Sequence, residues 1–334
     1  MKLVTYTINQ SHQRVGVLVD SWILDIQAGH TMQRYDMKEG DDLLPGDMIA
    51  LLKGGEEVLG TARKVVDWFV DKGMPASFRH TQLAVPAAEV TLCAPVPRPI
   101  SMRDGYAFRQ HVEAARRNRG VPMIEEFDLF PIFYFTNHMA VTGPGPVHVQ
   151  QLHCDKLDFE LEAAIVIGRE GRNIPASQAD EYIAGYTVMN DWSARTLQME
   201  EMKLSLGPAK GKDFATSIGP WLVTRDELSH ARIPGEQGER YDLVMTAHVN
   251  GTEVSRGNLK DMTWTFAQII ERASYGVTLY PGDVIGSGTV GTGCFLELNG
   301  SKVYDPAWWL KPGDMVTCAI DGLGILENTL HLST

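Results

Sequence analysis

Three carboxylates alternate with apolar residues in the stretch Leu157-Asp158-Phe159-Glu160-Leu161-Glu162, which runs into Ala163-Ala164-Ile165-Val166-Ile167-Gly168. The β-branched run ended by a glycine reads as a buried strand. On a strand, alternate residues share a face, so Asp158, Glu160 and Glu162 point one way and Phe159 and Leu161 the other. Like charges stacked in an apolar setting must be protonated or paired with positive charge. A divalent cation is the economical partner, because hard cations select closely spaced oxygen ligands. The competing reading is an edge strand with a solvated acidic face.

Other segments offer chemistry of their own. Asp104 in Arg103-Asp104-Gly105-Tyr106 sits at the mouth of a strand, and His111 falls on the first turns of a helix predicted over 107–119. The apolar strand Gly185–Asn190 ends at Asp191, where a turn-forming role competes with a ligand role. Gly207-Pro208-Ala209-Lys210-Gly211-Lys212-Asp213-Phe214-Ala215-Thr216 is a basic loop without the spacing of a phosphate-binding loop. Gly286-Ser287-Gly288-Thr289 carries the ingredients of an anion nest, or of an ordinary turn. Phe295-Leu296-Glu297-Leu298 reads as an apolar strand holding one carboxylate, which is costly there without a partner.

The elements that must position these groups fall into two units. Residues 1–95 read as a small β-rich domain with strands at 3–7, 15–19 and 22–26, a helix over 56–71 and a strand near 90–93. The proline-rich Ala94–Pro99 marks the boundary. Residues 96–334 are strand-rich with few helices and include a hairpin signal at Asn250-Gly251, so an α+β core is expected. The chain is 44% hydrophobic and 22% charged, as in ordinary globular proteins, and its net charge of −12 argues against nucleic acid or anionic membranes as partners. Four scattered cysteines show no zinc-type spacing, and neither a signal peptide nor a membrane-spanning run is visible, so a cytoplasmic location is expected.

Taken in order, Asp-Gly-Tyr…Arg-Gln-His (104–111), Asp-Phe-Glu-Leu-Glu (158–162), Asn-Asp-Trp-Ser-Ala-Arg (190–195), Gly-Lys-Asp-Phe-Ala-Thr (211–216) and a downstream Leu-Glu-Leu resemble the fumarylacetoacetate hydrolase family. The resemblance implies a mixed β-roll catalytic domain preceded by a small SH3-like β domain, usually in a homodimer. It implies that Asp104, Glu160, Glu162 and Asp191 bind one divalent cation (Mg²⁺, Ca²⁺ or Mn²⁺), with Lys212 and Thr216 behind them, and that Asp158 is not a ligand. Tyr106, Tyr134, Gln198, Lys212 and Thr289 match substrate-contacting positions. The family's substrate-binding arginine has no clean counterpart, and Arg119 or Arg117 is its stand-in. The implied activity is hydrolysis of a carbon–carbon bond in a 1,3-diketo acid of the fumarylacetoacetate or acylpyruvate type, in aromatic or amino-acid catabolism. His111, held by Glu297, would activate the water, with Lys212 assisting. Two alternatives remain: a decarboxylase or hydratase on the same fold, and a binding protein in which the metal is only a staple.

Overall fold

The computed structural model describes residues 1–9, 11–38 and 43–333. The chain opens with a meander, β1 (Lys2–Thr7), β2 (Arg14–Val19) and β3 (Trp22–Asp25), followed by three helices, α1 (Ile26–Met37), α2 (Met48–Lys53) and α3 (Gly55–Asp71). A short return strand, β4 (Ala84–Pro86), then pairs with β3. Helix α3 matches its apolar periodicity, burying Leu59, Ala62, Val65 and Phe69 along one stripe. Helix α1 shows no such stripe because the side it buries carries Gly29, His30 and Gln33 beside Ile26. It starts where Asp25 caps the N–H of Ala28 at 2.8 Å. The expected β-rich N-terminal unit is therefore a meander backed by helices, of which the sequence reading contained only α3.

The remaining chain supplies β5 (Met102–Gly105), α4 (Arg109–Asn118), β6 (Phe133–Phe135), β7 (Leu161–Ile167), β8 (Ile183–Asp191), α5 (Arg195–Met202), β9 (Thr216–Thr224), β10 (Val284–Gly286) and α6 (Phe295–Gly300). These strands and those of the N-terminal unit form one sheet, in the order β4-β3-β2-β1-β9-β8-β7-β10-β5-β6. Strand β1 pairs with β9, with Leu3 opposite Leu222, so the sheet passes across the proline-rich segment at 94–99 without a break. A second sheet of five strands packs its inward residues, among them Val147, Met245, Val316 and Leu326, into the same core as Leu161 and Ile165.

Strand β7 is buried along its whole length because it has a core on each side. Leu161, Ala163, Ile165 and Ile167 join the core shared with the second sheet, whereas Ala164 and Val166 join the cluster of Leu3, Leu52, Val65 and Phe69. That is why it reads as a continuous apolar run rather than an alternating one. In the middle of the sheet, Asp104 lies opposite Gly286, and Ala164 lies opposite Gly286 on its other side. Asn190 faces Leu161, and Asp191 faces Thr216. The same end of several adjacent strands thus carries Asp104, Glu162 and Asp191.

Two local expectations are corrected. The stretch 158–162 is not one continuous strand: Leu157–Asp158 pairs with Ser193–Ala194, and β7 begins only at Leu161. Between them the Glu160 N–H turns to the Asn190 side chain at 3.0 Å instead of entering a ladder. Glu297 lies on helix α6, not on a strand. A short apolar run such as Phe295–Leu298 fits either structure by pattern alone. Among the described residues no helix is long and apolar enough to cross a membrane.

A sheet continuous from β4 to β6 should unfold as one body. Leu222→Ala, at the seam between β1 and β9, is expected to cost about 2–5 kcal/mol and to shift a single urea transition seen identically by tryptophan fluorescence and circular dichroism. Two separated transitions would contradict this.

Candidate metal centre and proton-transfer dyad

Asp104, Glu160, Glu162 and Asp191 converge, each offering an oxygen within 4.8 Å of the others, and all four are buried. The local sequence explains the approach. A side-chain carbon at Gly286 would come within 2.6 Å of Asp104 Oδ1, and one at Gly288 within 2.7 Å of the Gly105 carbonyl. Gly288 also has φ +79°, a conformation that suits glycine. With both glycines in place, the Gly288 N–H donates to Glu162 Oε2 at 3.0 Å and to Asp104 Oδ1 at 3.2 Å.

Positive charge is scarce around these oxygens. Lys212 donates to Glu160 at 2.5 Å and to Asp191 at 2.7 Å. Arg195 reaches Glu160 at 2.7 Å but also binds Asp158 at 2.8 Å. The Tyr134 hydroxyl donates to Asp191 at 2.5 Å. Glu162 Oε1 and Asp191 Oδ1 have no hydrogen-bond partner among the described residues. Burial, with the Asp191 charge added, pushes the Asp104 carboxyl up to about 8. Burial and the neighbouring Asp104 raise Glu162 well above the carboxylate range, and burial raises Asp191 despite Lys212. Glu160 also suffers burial, yet the charges of Lys212 and Arg195 hold it below its ordinary value. Lys212 is opposed by burial but kept above its ordinary value by Asp191 and Glu160.

Without further positive charge this cluster must bind protons. Its two orphaned oxygens, its all-oxygen donor set and its surplus of negative charge fit a hard divalent cation, and they do not fit zinc, which prefers nitrogen and sulfur.

Within electrostatic reach of Glu160, His111 Nδ1 lies 2.6 Å from Glu297 Oε2. The ring comes from the buried side of α4, and the Tyr106 ring meets it edge-on with centroids 5.7 Å apart. Glu297 is fixed in turn: its Oε1 accepts the Thr292 N–H at 2.9 Å, and Asn118 on α4 donates to its backbone carbonyl at 3.1 Å. Thr292 has φ +69°, left-handed and costly for a β-branched residue, so the loop is held strained where it orients Glu297.

The remaining expected residues lie close by. Gln198 accepts from Arg195 Nη1 at 3.0 Å, Thr289 is buried next to Gly288, and Thr216 is buried opposite Asp191. Tyr106 is raised by burial, and the charge of Arg119 works against that rise, which puts Arg119 within electrostatic reach of the ring hydroxyl. The Gly288 N–H belongs to the segment whose sequence offered an anion nest, whereas the sequence reading missed Arg195 and the Thr292 N–H as parts of the site. Arg195 stood inside the 190–195 motif, but the Thr292 N–H leaves no side-chain signal to read.

Residues 101–331 match the family described as Fumarylacetoacetate (FAA) hydrolase C-terminal. The chain is 32% identical over 308 residues to the mitochondrial oxaloacetate tautomerase FAHD2A of Homo sapiens, covering 91% of this chain and 86% of that protein. It is 29% identical over 324 residues to the oxaloacetate tautomerase YisK of Bacillus subtilis, covering 95% of each. Its fold superposes along its full length on maleylpyruvate hydrolase from Sphingobium sp. SYK-6, solved with manganese(II) and pyruvate, with a TM-score of 0.68 at 22% identity.

The raised carboxyls set the sign of a pH effect. A carboxyl such as Asp104, with an ordinary value of 3.8 and a folded value of about 8, costs no stability below the lower value. Its penalty grows as pH rises between the two, because the folded state resists losing the proton. Metal-free protein should therefore melt at progressively lower temperature from pH 5.5 to about 8.5, and the stabilisation conferred by Mg²⁺ or Mn²⁺ should grow over the same range. A metal-induced shift that stays constant or shrinks with rising pH would contradict the cluster as the binding site.

Proposed function

The chain belongs to the fumarylacetoacetate hydrolase family, and we propose that it is a divalent-metal-dependent enzyme interconverting the enol and keto forms of a 2-oxo dicarboxylic acid of the oxaloacetate type. The observation that carries this reading is the 2.6 Å His111–Glu297 pair within electrostatic reach of Glu160, one of four converging carboxylates. The oxaloacetate tautomerases that resemble the chain over most of its length support the choice of substrate.

Asp104, Glu160, Glu162 and Asp191 would hold the cation, which when bound supplies a chelating Lewis acid that stabilises an enolate. Because a carboxylate only accepts, the His111 Nδ1–H faces Glu297 and Nε2 carries the lone pair. Nε2 can then take a proton from the substrate carbon next to the carbonyl and deliver one to the enolate oxygen, or in reverse take the enol proton and deliver one to that carbon, while Glu297 stabilises the imidazolium formed between. The Lys212 ammonium spends two of its three donors on Glu160 and Asp191, leaving one for a substrate oxygen. Arg119, whose charge reaches Tyr106, would meet a second substrate carboxylate.

The second reading is hydrolysis of an acylpyruvate. The same dyad favours it, since Nε2 could equally deprotonate a water. A decarboxylase makes less use of such a base, and a metal-stapled binding protein gives it no role.

Two outcomes are expected. His111→Gln should lower turnover of enol-oxaloacetate by about two to four orders of magnitude while leaving Mg²⁺ affinity unchanged; joint loss of both would make His111 a ligand or a structural residue. In ²H₂O the enzyme should place deuterium on the carbon beside the carbonyl and leave the carbon skeleton whole. If acylpyruvates instead yield pyruvate and an ¹⁸O-labelled acid in ¹⁸O-water, hydrolysis replaces tautomerisation.

A further inference from the structure

Asp158 belongs to the acidic stretch, yet it stands outside the carboxylate cluster, and no solvent reaches it. Its Oδ1 accepts the N–H groups of Phe159 at 2.9 Å and Phe295 at 2.7 Å. Its Oδ2 accepts the Leu296 N–H at 2.9 Å and Arg195 Nε at 2.8 Å. Those partners belong to different halves of the site. Arg195 continues to Glu160 through Nη2 and to Gln198 through Nη1. Phe295 and Leu296 open α6, on which Glu297 follows at once and holds His111.

We propose that Asp158 is a positioning residue that sets the distance and orientation of the His111–Glu297 dyad relative to the carboxylate centre. The proposal rests on the dyad's role in proton transfer described above. All four groups facing Asp158 are donors, so only an acceptor at both oxygens satisfies them. The chain of contacts Glu160–Arg195–Asp158–α6–Glu297–His111 is buried and charge-assisted for most of its length, which resists bending. A carboxylate here thus transmits the position of a cluster member to the base without touching substrate.

Asp158→Asn keeps the shape but turns one acceptor into a donor facing Leu296 and Arg195, or facing Phe159 and Phe295. The expected result is a fall in kcat of about ten- to a hundredfold, with KM and Mg²⁺ affinity little changed. A substrate-independent reading accompanies it. In ¹⁵N-histidine-labelled protein, the Nδ1–H signal of His111, identified by its loss in His111→Gln, should lose its protection from solvent exchange in Asp158→Asn. An unchanged kcat with an unchanged signal would overturn the proposal. So would parallel loss of kcat and metal affinity with the signal intact, since Asp158 would then act only on the carboxylates.

Should the variant not fold, the parent protein decides: loading with Mg²⁺ should slow amide exchange at Phe295 and Leu296, and no change there would overturn the coupling. If the parent turns over neither oxaloacetate nor acylpyruvates, the proposed activity fails, while the imidazole signal and the amide exchange still test Asp158.

Discussion

Four carboxylates are forced together out of water with a single lysine between two of them, and much of the structure exists to tolerate that repulsion. Isolated, each buried charge would be expensive. The fold offsets this with Lys212, Arg195, the Tyr134 hydroxyl and one shared backbone N–H, yet leaves two oxygens without a partner among the described residues. Complete neutralisation by protein groups would have given a stable polar core with nothing left to bind a cation. The shortfall is what makes the cluster a receptor for one.

The sheet order accomplishes the convergence. Strands β5, β10, β7, β8 and β9 lie side by side, so Asp104, Glu162 and Asp191 share one end of the sheet although they are far apart in sequence. Glycines at 286 and 288 let backbone approach where any side chain would collide. The N-terminal meander and α3 cover the opposite side of β7 and complete the core against which this end is held. The dyad arrives separately, from α4 and α6, and Asn118 and Asp158 tie those helices to each other and to the centre. Rigid placement matters because proton transfer is sensitive to displacements well below the size of an atom.

The sequence made the acidic residues legible for a physical reason. Carboxylates inside apolar runs, as at Glu160 and Glu162, violate the burial pattern, and such violations mark sites. Ordered motifs then joined His111, Asp191, Lys212 and Glu297 to them. Less legible was how the chain bends. The break at Phe159–Glu160, which sends Asp158 to Arg195, arises from the Asn190 side chain of a different strand. The helical state of Phe295–Gly300 depends on what precedes and faces it, not on its own periodicity. Helix α1 conceals itself by burying glycine, histidine and glutamine. In each case long-range partners, invisible to local pattern, decide the outcome.

The claim on which the rest depends is that these four carboxylates bind one divalent ion. Titration of the metal-free protein with Mn²⁺, followed by the electron paramagnetic resonance signal of the free ion, tests it most directly when parent and Glu162→Ala are compared. The account predicts one tightly bound ion per chain in the parent and loss of tight binding in the variant. Equal binding by both proteins would contradict it and place the ion elsewhere.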